Sequence, residues 1–87
     1  LALEPNRVPA LLDAARYRLV LGDIDLALAH AERAVRLEPD AADAWTLAAQ
    51  VDARAGRTAR ARERLTRALT LDPNQPGARA ALRALAR

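Results

Sequence analysis

One short phrase returns three times along this chain at a fixed interval: Leu3-Glu4-Pro5-Asn6, Leu37-Glu38-Pro39-Asp40 and Leu71-Asp72-Pro73-Asn74, each 34 residues after the last. The register holds between the phrases as well. Gly22 matches Gly56, Ala27 matches Ala61, Arg33 matches Arg67, Ala34 matches Ala68, Val35 matches Leu69, and Ala10 matches Ala44 and Ala78. Self-similarity at such a period means that each unit is one supersecondary element. It cannot bury its apolar face alone and must stack on its neighbours.

The punctuation within each period divides it into two helices. Asn6 is placed to cap a helix whose first turn accepts Pro9, and Gly22 supplies a residue able to take positive φ where that helix stops. This predicts a helix over about 8–21. Asp23 then caps a second helix over about 24–37, which ends before Pro39 because the residue ahead of a proline is pushed out of helical geometry. The same logic predicts helices over about 42–55 and 59–71, with Thr58 as cap of the latter, and a last one from Pro76 to Ala86. Asp40 and Asp43 are expected at the start of the third helix, complementing its dipole.

The composition agrees with closely packed helices. The chain is 52% hydrophobic but has no Phe, one Trp and one Tyr, so Ala and Leu must build the core. No apolar run approaches the roughly 20 residues of a membrane span. There is no Cys, which excludes a disulfide framework or a thiolate metal site and leaves the compartment open, cytoplasmic or periplasmic. The start at Leu1 and the lack of Met read as a segment of a longer polypeptide. The use of Arg for all 14 basic residues, with abundant Ala, suggests a GC-rich bacterial coding sequence.

These residues and their spacing resemble the tetratricopeptide repeat. In the second period Trp45 stands in the family's Trp slot, Ala48-Ala49 in its Leu-Gly slot, and Gly56 at its turn. Ala61 and Ala68 fill the small slots, Leu65 the aromatic slot, and Pro73 the closing proline. Leu11, Ala14-Ala15, Gly22, Ala27, Ala31, Ala34 and Pro39 occupy the same slots in the first period. The departures are Arg18 and Asp52, where the family places Tyr, and Ala31 and Leu65 for its second aromatic. The resemblance implies an all-α, right-handed superhelix of tandem helix-turn-helix repeats. The expected layout is the tail of a preceding repeat (1–7), repeats over 8–41 and 42–75, and a polar capping helix (76–87) bearing Arg79, Arg83 and Arg87.

Catalysis finds little to work with. The chain has no Ser, Cys or Lys and a single His, His30, which falls at a surface position of the second helix. No phosphate-binding loop, EF-hand or metal-ligand spacing occurs, so neither enzyme activity nor a cofactor is expected.

Binding is the function that the resemblance implies: the first helix of each pair lines a concave groove that holds a partner's peptide or helix. The groove set is Leu12, Arg16, Leu19 and Val20, followed by Asp43, Thr46, Gln50, Ala53 and Arg54, with Ala80 and Ala84 beyond. Helical spacing puts residues 12, 16 and 19, and residues 43, 46, 50 and 54, on one face each. The family's Lys and Asn carboxylate clamp is not matched at these positions.

Three further expectations concern charge and ends. Arg57, Arg60, Arg64 and Arg67 fall on one stripe of the fourth helix, able to attract an acidic polymer or, less readily, nucleic acid, or else solvated with Glu63 paired to Arg67. Arg18 and Asp52 stand one period apart, where they either pair across stacked repeats or tilt to solvent. The first helix pair, with Leu11, Ala14, Ala15, Leu28 and Val35, is expected to leave an apolar face open and so favour self-association through residues 1–20.

Overall fold

The computed structural model describes residues 7–86. Asn6, Leu1, Leu3 and Arg87, invoked above as a cap, a preceding tail and part of the polar last helix, lie outside them. The described residues form α1 (Val8–Val20), α2 (Ile24–Leu37), α3 (Ala42–Arg54), α4 (Thr58–Leu71) and α5 (Ala78–Leu85), with no strand among them.

The turns within each pair are the ones the glycines imply. Gly22 and Gly56 take φ of 82° and 80°, where a Cβ is strained. Around each, two bonds close the helix end: Gly22 N–H donates to Leu19 O at 3.1 Å and Asp23 N–H to Arg18 O at 2.9 Å. Gly56 to Ala53 (3.1 Å) and Arg57 to Asp52 (2.8 Å) repeat the pattern one period later. This pair of hydrogen bonds across a left-handed residue is the Schellman motif. Asp23 also caps α2, its carboxylate accepting from Leu26 N–H at 3.3 Å. Thr58 is instead the first residue of α4, with Arg57 ahead of it making no side-chain cap, and α5 begins at Ala78 rather than Pro76 because a turn occupies 73–77. Asp43 sits in the first turn of α3, but the capping position is held by Ala41.

No single core runs through the molecule. Val8, Leu11, Leu12 and Ala15 of α1 pack with Ala31 and Ala34 of α2 and with Ala44, Leu47 and Ala48 of α3. Ala49 of α3 packs with Ala61, Leu65 and Ala68 of α4 and Ala78 of α5. A third cluster joins Ala27 and Leu28 to Val51. Alanines at these contacts have no exposed surface, so helix axes approach closely and the missing aromatics leave no need for larger spacers. Of the five residues expected on an open face, Leu11, Ala15 and Leu28 are buried within the stack, which corrects that part of the expectation, while Ala14 and Val35 are only partly covered.

Packing is serial, each helix against the next, with α1 also touching α3 and α3 touching α5. The axes of α2 and α4 do not come into contact. Odd-numbered helices are therefore closer together than even-numbered ones, and the stack curves with α1, α3 and α5 on its inner side.

Candidate functional site

On that inner side a cleft of about 400 Å³ opens between α3 and α5. Ala49 and Ala53 of α3 form its floor with Leu65 of α4 beneath; Ala81, Ala84 and Leu85 form the α5 wall, and Leu19 closes the α1 edge. Its polar side chains are Gln50 and Arg54, both exposed. The floor is apolar because small residues at i and i+4 of α3 leave a trough where larger ones would fill it.

The predicted groove residues divide into three groups. Leu19, Gln50 and Arg54 share this cleft. Leu12, Arg16 and Asp43 surround a smaller depression of about 260 Å³ at the other end of α1, where Asp13 and Glu38 also lie and Arg16 pairs with Asp13 at 3.3 Å. Val20, 84% exposed, lines neither. Burial limits what two of them offer a partner. Leu12 is 3% exposed and belongs to the packing of α1 on α3, and Thr46 is 5% exposed, its hydroxyl donating to Ala42 O at 2.9 Å. Both stand at the border between the packing and groove faces, where a neighbouring helix decides the outcome. Ala80 is exposed and lies outside the cleft, whereas Ala84 lies in it.

The arginine stripe is also redistributed. Arg57, Arg60 and Arg67 are exposed, but Arg64 turns inward, its side chain only 16% accessible. One nitrogen donates to Glu32 of α2, and the other lies 3.0 Å from the Asp52 carboxylate of α3. Arg64 thus ties three helices together and bridges α2 and α4, whose axes do not touch. Asp52 has no exposed surface, and neither of its oxygens has a hydrogen-bond partner, because Arg64 approaches at ion-pair distance without hydrogen-bond alignment. Burial pushes the Asp52 carboxyl above its ordinary range against the pull of Arg64, Arg60 and Arg57, with Glu32 adding to the rise. Arg18, at the equivalent slot, pairs loosely with Asp23 at 4.0 Å and not with Asp52. The true partner of Asp52 was visible in the sequence only as one of several arginines on α4.

Trp45 is half-buried against the α3–α4–α5 cluster, and its indole N–H donates to Pro39 O at 2.8 Å. His30 is partly covered on α2. Among the described residues no group of three His, Cys, Asp or Glu is arranged to hold a metal ion, and no helix is long and apolar enough to cross a membrane.

A family model described as tetratricopeptide repeat matches residues 12–76, most of the chain. The chain belongs to the tetratricopeptide repeat family. No curated protein matches it. Tetratricopeptide repeats generally mediate protein–protein interaction, and the inner surface of this one offers the α3–α5 cleft. At the slot where the family carries Tyr, this tetratricopeptide chain buries a carboxylate and supplies the counter-charge from α4.

Proposed function

We propose that this chain is a non-catalytic binding module, and that the cleft between α3 and α5 takes an apolar segment of a partner protein. The observation that carries the reading is the lining: an apolar trough on the inner side of the stack, with Gln50 and Arg54 as its polar rim. Apolar contact supplies affinity there, and the two polar groups fix orientation. Replacing Arg54 and Gln50 by Ala should weaken binding of the natural partner by about tenfold, as expected for two partly exposed polar contacts. Helix content and melting should be unchanged. Calorimetry showing unaltered affinity overturns the reading.

A second reading, self-association, is favoured by a different surface. Ala10, Ala14 and Tyr17 of α1 stand 34 residues before Ala44, Ala48 and Val51 of α3. The α3 set is fully buried, facing α2; the α1 set is not, with Tyr17 61% exposed and Leu21 57% exposed beside it. Self-association predicts a mass in sedimentation that rises with concentration.

A further inference from the structure

A second cleft, of about 490 Å³, is lined by Trp45 of α3 and by Arg60, Glu63, Arg64 and Arg67 of α4. Its chemistry is unlike that of the inner trough. Arg64 is neutralised from within by Asp52 and Glu32. Arg60 and Arg67 are exposed and pair with no carboxylate among the described residues, and Glu63 does not pair with Arg67. Trp45 is pinned by its bond to Pro39, and the Arg67 guanidinium lies 5.9 Å from its ring centroid. The cleft therefore holds two cations in no salt bridge among the described residues, beside a fixed aromatic wall, with the Glu63 carboxylate between them in sequence.

We propose that this cleft binds an acidic polypeptide segment, with one carboxylate on Arg60 and a second on Arg67. The two arginines are seven residues apart on one helix face, or about 10 Å along the axis. A peptide in the polyproline-II conformation has about three residues per turn and rises about 3.1 Å per residue, so acidic residues three positions apart lie on one face and match that span. Glu63 selects among polyanions. It accepts a backbone N–H from a peptide lying across it, whereas a nucleic-acid backbone offers no such donor and meets a like charge. The ring of Trp45 is already covered by Arg67, which removes the stacking platform that single strands use.

The test uses Trp45, the chain's one tryptophan, as a reporter inside the site. A short synthetic peptide carrying Glu-Val-Thr-Glu is titrated at low salt, by calorimetry and by Trp45 emission, beside a short oligothymidylate and inorganic phosphate. Peptide binding should perturb the emission and weaken with added salt. Arg60→Gln with Arg67→Gln should lower peptide affinity at least about tenfold, the loss expected for two charge-assisted contacts, with helix content unchanged. Glu63→Gln keeps an acceptor but removes the like charge, and should strengthen the oligothymidylate more than the peptide. The proposal is overturned by no peptide binding, by affinity indifferent to the double substitution, or by oligothymidylate or phosphate binding as tightly as the peptide.

Discussion

Tyr17-Arg18 in α1 and Val51-Asp52 in α3 are the same two positions, one period apart, and they have opposite fates. Val51 and Asp52 have no exposed surface, while Tyr17 is mostly exposed and Arg18 reaches solvent beside Asp23. The helical register and the turn that follows are alike in both places. The difference is the company among the described residues: there α3 packs against α1, α2, α4 and α5, and α1 against α2 and α3. Burial in a stacked array is thus set by a unit's neighbours as much as by its own pattern. A polar residue harmless in one repeat needs an internal partner in the next.

The largest expected effect separates the two slots by their ion pairs. Arg64→Met should cost about 3 kcal/mol or more, since it strands the Asp52 charge in the interior, whereas Arg18→Met should cost under about 1 kcal/mol because its pair is solvated. Denaturant unfolding of both variants makes the comparison. Asp52→Leu combined with Arg64→Leu should recover most of the loss, as apolar replacement of a whole buried pair does. A double variant as unstable as Arg64→Met would mean that the bridge itself, and not the stranded charge, is what matters.

A smaller effect concerns pH. A carboxyl whose folded value is raised contributes stability that is fully present below its unfolded value, near 3.8, and lost as pH rises through the folded one. Asp52→Asn removes that dependence while Arg64 keeps Glu32. Its stability relative to the parent should therefore increase from acid toward neutral pH. Chemical melts at a series of pH values read this directly, and a difference that shrinks on the way to neutrality contradicts it.

The smallest stability effect is expected at the open slot. Tyr17→Ser should change stability by no more than about 0.5 kcal/mol, as exposed substitutions do, while shifting any self-association toward monomer. Sedimentation of the two proteins side by side makes the check.

Features that rest on the period or on one residue's backbone chemistry were legible in the sequence. Gly22 and Gly56 at the turns, Asp23 as a cap, and the buried Ala27/Ala61 and Ala34/Ala68 pairs are of this kind. Features that depend on which neighbour arrives were not. Leu12 sits at a face boundary that α3 closes over and Thr46 at a boundary of α3 that is likewise buried, and helical spacing alone cannot say which side of that boundary they take. Arg64 has the same spacing as its stripe-mates, and only the three-dimensional position of Asp52 draws it inward. A usable signal existed: an Asp placed among Ala48, Ala49 and Val51 requires a cation, and α4 is rich in them.

The central position of α3 bears on how the chain opens. Its residues take part in all three apolar clusters, and its Asp52 anchors the bridge through Arg64 to Glu32. An opening that frees α1 leaves α3 held by α4 and α5, and one that frees α5 leaves it held by the first pair. Losing α3 itself dissolves every cluster at once. Its amide protons are therefore expected to exchange only through global unfolding, while those of α1 and α5 exchange through cheaper local openings. The ordering makes α3 the clock of the described stack, with α1 and α5 loosening and re-docking around it.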